Sequence, residues 1–212
     1  MAIQNFSPLQ LNSTLSVGVD DTGHDVVFYG ATSGKYMLWD ESDDRLLLTD
    51  NTHLELGAGG DLQMLHNGSA SFIQNYGGDL KIINNANDKD IIFQSDDGSG
   101  GVSTYFYLDG SIDNSNLYTV FPDNAIVTLG TGYDFQLFHD GSNSYMVNST
   151  GSLHIRNVAS DADILFRGSD GGSTITALTL DMSDGGTAIF NHDTKLSDSS
   201  RAYFGNGLDV SM

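Results

Sequence analysis

The sequence predicts an all-β protein, an elongated repeat array of short strands arranged as hairpin and meander modules. Three observations predict it. All but two of the 28 acidic residues are Asp, the exceptions being Glu41 and Glu55; Asp, Asn, Gly and Ser favour turns because they tolerate positive φ or bond their own backbone. Glu, Lys, Arg and Ala, the usual fillers of helix surfaces, are sparse, and no segment of a dozen residues carries apolar residues at spacings of 3 and 4. Finally, short apolar runs bounded by Gly, Asp and Ser return along the 212 residues in the same order.

Residues 1–16 stand outside the repeat. "MAIQNFSPLQL" is polar with scattered apolar anchors, Ile3, Phe6, Leu9 and Leu11, a pattern suited to adding a strand to a partner. It lacks the basic start and long apolar core of a signal peptide. Residues 17–49 form the first hairpin module: Asp25-Val26-Val27-Phe28, a "GATSG" loop, then Tyr36-Met37-Leu38-Trp39-Asp40. The same design returns as Asp90-Ile91-Ile92-Phe93 with "YFYLD" at 105–109, and as Asp163-Ile164-Leu165-Phe166 with "ALTLD" at 177–181. Two strands joined by a Gly-rich loop read as a β-hairpin.

Between the hairpins lies a second module. The stretch from Asp50 aligns without a gap on the stretch from Asp123, and 23 of 49 positions are identical at an offset of 73. Repeat 1 therefore spans 50–122 and repeat 2 spans 123–197. Asp198 opens a third copy in which Gly205, Gly207 and Asp209 match Gly130, Gly132 and Asp134, and the chain stops within it, as a truncated or abbreviated array would. The period is too long for leucine-rich or nonapeptide solenoids. Each repeat promises strands at "LELG", "DLQMLH", "SFIQN", "DLKIIN", "DIIFQ" and "TYFYLD". Leu62 and Met64, Leu80 and Ile82, and Leu153 and Ile155 alternate with polar residues, as strands with one wet face do.

The hairpin runs do not alternate. An unbroken apolar run needs cover on both faces, and no helix is available to supply it. The cover must come from another sheet or another chain, and neighbouring chains would also protect exposed strand edges. An obligate homo-oligomer follows as an expectation; a stack of small sandwiches whose sheets cover each other is the alternative.

A net charge of −20 opposes binding to nucleic acid and to anionic membranes. With 39% hydrophobic residues the chain is not of disordered composition. There is no Cys, hence no disulfide framework and no thiol nucleophile, and no stretch long and apolar enough to span a bilayer as a helix.

Four chemistries merit inspection. Gly57-x-Gly59-x-Asp61, Gly130-x-Gly132-x-Asp134 and Gly205-x-Gly207-x-Asp209 overlap half of a nonapeptide calcium motif, but that motif shares ions between coils nine residues apart, so a tight turn is expected instead. Asp88 and Asp90, with their equivalents Asp161 and Asp163, offer two carboxylates per loop, too few alone for Ca²⁺, although three chains converging on an axis could supply more. His66 and His139 are repeat-equivalent and lack the close partners of a self-contained metal site. Acidic pairs such as Asp43-Asp44 and Asp96-Asp97 follow from composition and sit in solvated loops, which disfavours glycosidase chemistry; no G-x-S-x-G elbow exists. Trp39, Tyr105, Phe106, Tyr107 and Tyr145 could stack on sugars if exposed, but on apolar strands they are expected to serve packing. The expectation is no enzyme and no required cofactor, with Ca²⁺ the one ion worth testing.

The combination "GHDVVFYGATSGKYMLWDES", "LGAGGDLQMLHNGSASFI" and "DIIFQSDDGSGG" resembles repeat segments in tail-fibre and related structural proteins of marine tailed bacteriophages, including those infecting cyanobacteria. The resemblance runs from about Val17 onward. It implies a virion component in the phage tail, an elongated, intertwined homotrimer, a role in reaching the host surface, and an N-terminus docked on the tail or an adaptor protein. The segment resembles shaft more than receptor-binding tip. The alternative class is an acidic extracellular adhesin repeat that binds Ca²⁺ or glycans.

Overall fold

Residues 12–112, 115–204 and 210–211 are described by the computed structural model, and among them there are strands and turns but no helix. The expected docking residues Ile3, Phe6, Leu9 and Leu11 lie outside this set, as do Gly205, Gly207 and Asp209 of the third copy. The chain divides into two compact units, 1–86 and 87–212.

The first unit holds β1 (Val26–Tyr29), β2 (Tyr36–Asp40) and β3 (Arg45–Leu48), then β4 (Leu54–Leu56), β5 (Leu62–His66) and β6 (Ser71–Asn75). The second holds β7 (Ile91–Asp96), β8 (Val102–Asp109) and β9 (Tyr118–Val120), then β10 (Val127–Leu129), β11 (Phe135–His139) and β12 (Ser144–Asn148). It continues with β13 (Ile164–Asp170), β14 (Ser173–Asp181) and β15 (Thr187–Phe190), and ends on the short pair β16 (Tyr203–Phe204) and β17 (Val210–Ser211). Each successive triplet is an antiparallel meander in chain order, which gives five three-stranded sheets and one pair.

The hairpins expected at 26–40, 91–109 and 164–181 are present, and each gains a third strand that the sequence reading did not assign. The signal for it is an Asp-x-Ser turn. Ser42 Oγ donates to Asp40 Oδ1 at 2.8 Å, Ser111 Oγ to Asp109 Oδ1 at 2.7 Å and Ser183 Oγ to Asp181 Oδ1 at 2.7 Å. Such a carboxylate closes a local turn and reverses the chain into β3, β9 or β15. At the other end of the module, the Asp that opens each apolar run caps the same corner. Asp25, Asp90 and Asp163 accept from the backbone N–H of Glu41, Gly110 and Met182, each at 3.0 Å. In the second and third hairpins an extra residue bulges at the same place, Tyr105 of β8 opposite Phe93 and Gln94, and Ala177 of β14 opposite Phe166 and Arg167.

Another expectation fails. The alternating stretches at 79–84 and 152–157 are expected to be strands, yet neither forms a strand among the described residues. Alternation marks a segment suited to a sheet but cannot supply the neighbouring edge.

Within each unit, the described strands touch chiefly the neighbours of their own sheet. No hydrophobic side chain among the described residues is buried. The chain exposes 17667 Å², whereas a folded monomer of 22.7 kDa exposes about 9,500 Å². The difference, about 8,000 Å², is several times the roughly 600–1,500 Å² of a typical interface between domains of one chain.

Candidate functional site

Antiparallel partners lie on the same face of a sheet, and successive residues alternate faces, so register assigns each side chain. In the first sheet one face carries Val26, Phe28, Met37, Trp39, Leu46 and Leu48. The opposite face carries Val27, Tyr29, Tyr36, Leu38 and Leu47, with the Asp40–Arg45 pair at its end. Both faces are apolar, and both remain open: Phe28 is 58% exposed on one and Tyr29 81% on the other.

The sheet β7-β8-β9 repeats this. Ile92, Tyr107 and Val120 share one face, and Ile91, Phe93, Phe106 and Leu108 the other. Phe93 stacks on Phe106 with ring centres 4.4 Å apart, and Phe106 on Phe121 at 5.7 Å. In β13-β14-β15, one face carries Ile164, Phe166, Leu178, Leu180 and Phe190, and the other is mixed, with Leu165 and Ile189 beside Thr179, Asp181 and Thr187.

The sheets of the second module are different. In β4-β5-β6, Leu54, Leu56, Leu62, Met64 and Ile73 share one face. The other carries Glu55, Gln63 and Gln74 beside Leu65 and Phe72. In β10-β11-β12, Val127, Leu129, Phe135, Leu137 and Met146 lie opposite Thr128, Gln136 and Val147, with Phe138 stacked on Tyr145 at 4.8 Å. One side is greasy and the other mixed.

Open clefts interrupt these surfaces among the described residues. One of about 510 Å³ in the first unit is lined by Leu48, Leu54, Met64, Leu65, Phe72 and Ile73. Another, of about 790 Å³ in the second unit, is lined by Tyr105, Phe106, Phe121, Pro122, Ile126 and Tyr133, among others.

The acidic candidates are occupied as turn residues. Asp88 and Asp161 have positive φ, 55° and 57°, a conformation that Asp and Asn tolerate better than most residues. Asp90 and Asp163 spend an oxygen on the backbone corner described above. No group of three or more metal-ligating side chains gathers among the described residues. In the G-x-G-x-D turns, Gly57 and Gly130 have φ of 91° and 87°, and a Cβ on either would collide with the carboxylate of Asp61 or Asp134. The motif is thus a carboxylate folded back over a glycine that must lack a side chain.

Each repeat-equivalent histidine bonds locally through Nδ1: His66 to Ser71 Oγ at 3.1 Å, and His139 to Asp123 Oδ1 at 3.0 Å when Nδ1 carries the proton or to Gly141 N–H at 3.1 Å when it does not. Of the acidic pairs, Asp43 joins Asp40 in an exposed ion pair with Arg45. Asp97 accepts from Ser99 and Gly101 N–H, and those bonds, Ser99 first, hold its carboxyl below the ordinary range. Asp40, Asp109 and Asp181 are lowered chiefly by the hydroxyls of Ser42, Ser111 and Ser183, and Asp140 chiefly by Asn143 N–H. Hydrogen bonds to the ionised form favour it, which suits turn closure and not proton donation.

Among the aromatic residues considered for sugars, Trp39 is 42% exposed and Tyr105 52%, and both stand on the apolar sheets. Tyr105 donates its hydroxyl to Asp96 C=O, and Tyr145 to Asp140 Oδ2. No protein-family model, curated protein or solved structure matches this chain. What the molecule offers is a recurring surface of exposed apolar side chains on its sheets.

Proposed function

We propose that this chain is a structural virion protein, a shaft segment of a phage tail fibre that links the tail to host-attachment elements and works as an obligate homotrimer. The observation that carries this reading is the hairpin sheet, apolar on both faces and covered on neither. A sheet with an apolar face must bury it against another element, and here each chain offers only more sheets of the same kind. Three copies running in parallel supply the missing cover wherever the repeat places a hairpin sheet. The repeat also explains reach, because each 73-residue unit adds the same pair of sheets. The charge of −20 keeps a surface so rich in apolar side chains from associating without limit. Residues 1–16 dock on the tail or an adaptor, and the fibre carries no catalytic site.

The test is solution mass by sedimentation equilibrium, with and without EDTA. The reading expects about 68 kDa, three times the 22.7 kDa chain, in both conditions. A stable 22.7 kDa species contradicts it. If that monomer folds only with Ca²⁺, the adhesin class takes its place.

A further inference from the structure

The stretches Asp79-Leu80-Lys81-Ile82-Ile83 and Ser152-Leu153-His154-Ile155-Arg156 occupy equivalent places in the two repeats. Each follows its meander sheet, and each starts just beyond an asparagine that fixes the exit turn. Asn75 Nδ2 donates to Gly77 and Gly78 C=O, and Asn148 Nδ2 to Thr150 and Gly151 C=O. Beyond the second stretch, Asn157 Nδ2 donates to Ala162 and Asp163 C=O and closes the way into the next hairpin. Both ends of the stretch are therefore tied down.

The stretch itself is not. Neither 79–83 nor 152–156 takes part in any backbone hydrogen bond with the described residues. Their apolar side chains stand in solvent: Ile82 is 63% and Ile155 58% exposed. A strand-patterned segment held at both ends, with its N–H and C=O row open, is a template for pairing with another chain.

We propose that these two segments are pairing strands that add to a sheet edge of a second copy of this chain. The proposal rests on the sister-chain reading above and names where the chains are stitched. Three arguments favour a second copy over an unrelated partner. The segments recur at a spacing of 73 residues, and a parallel copy presents its sheet edges at the same spacing. The surplus surface of about 8,000 Å² exceeds several-fold the roughly 1,200–2,000 Å² of one ordinary interface, as repeated contact along a sister chain requires. The segment 152–156 carries Arg156 and no acidic residue in a chain of charge −20, so a copy of the chain is electrostatically complementary to it, while in 79–83 Asp79 balances Lys81. The same charges disfavour pairing of each segment with its own counterpart in register, where Lys81 would oppose Lys81.

Amide hydrogen exchange on the full-length protein, read by mass spectrometry beside its solution mass, tests this. The expected result is an oligomer in which peptides covering 79–83 and 152–156 exchange more than about a hundredfold slower than unpaired amides, with the protection lost on dissociation. An oligomer whose two segments exchange freely overturns the proposal and leaves the shaft reading standing. A monomer overturns both, whether or not the segments are protected, because protection in a monomer means pairing within one chain.

Discussion

The hairpin sheets and the meander sheets share one three-stranded topology, yet their faces differ. In β1-β2-β3 the register places Val26, Phe28 and Trp39 on one face and Val27, Tyr29 and Leu38 on the other. In β4-β5-β6 the equivalent rows place Leu54 and Met64 on one face and Glu55 and Gln63 on the other. A meander sheet is satisfied by cover on one side. The first hairpin sheet has two apolar faces to cover, and among the described residues neither is buried. Hydrophobic content alone does not separate these cases; its distribution over the two faces does.

Substitutions that break this contrast rank by size. A charge on either hairpin face, Leu38→Asp or Phe28→Asp, is expected to abolish assembly, at more than about 4 kcal/mol, because it leaves an unpaired charge between chains. Gln63→Asp, on the mixed face of the meander sheet, should leave the solution mass unchanged. Truncations sharpen the comparison. Leu38→Ala and Met64→Ala should each cost about 2–5 kcal/mol in denaturant melts if their faces are covered, whereas Gln63→Ala should stay within about 0.5 kcal/mol. A cost for Leu38→Ala as small as that for Gln63→Ala places the hairpin face in water.

Acid acts through the turns. Asp40, Asp109 and Asp181 close the corners of the three hairpin sheets with carboxyls held below their ordinary range. Their contribution is fully present above the unfolded pKa of about 3.9 and is lost as pH falls through the lower folded values. Thermal melts should therefore show stability declining below about pH 4. Asp109→Asn together with Asp181→Asn should flatten that decline, and an unaltered acid limb removes the carboxylates from the account. Smallest of all is the loss of one corner bond. Asp163→Ala deprives Met182 N–H of its acceptor and should cost about 1 kcal/mol, with Asp163→Asn closer to wild type because it keeps an acceptor oxygen.

Much of the fold is legible in the sequence. The recurring Asp-apolar run and Gly-rich loop mark β1-β2, β7-β8 and β13-β14, and the offset of 73 maps one meander sheet onto the other. The third strands are harder to read because "RLLL", "YTV" and "TAIF" share no pattern; only the Asp-x-Ser turn before each is common to them. The role of Asp25, Asp90 and Asp163 is hidden for another reason. Their partners lie 16, 20 and 19 residues away, and recurrence of a carboxylate does not say whether it faces a metal or a peptide N–H. The stretches at 79–83 and 152–156 read as strands because their side-chain pattern is that of a strand, and a pattern carries no information about which chain holds the neighbouring edge.

Trp39 is the chain's one tryptophan, and it stands on a hairpin face, 42% exposed in the single chain. Its fluorescence and its quenching by acrylamide test directly whether sister chains cover that face. The account predicts blue-shifted emission that acrylamide barely reaches in the native oligomer, turning red and quenchable as the oligomer is dissociated by dilution or mild denaturant. Emission that is red and freely quenched in the native protein contradicts it, for the face would then be bare and the unbroken apolar runs would have some other cause.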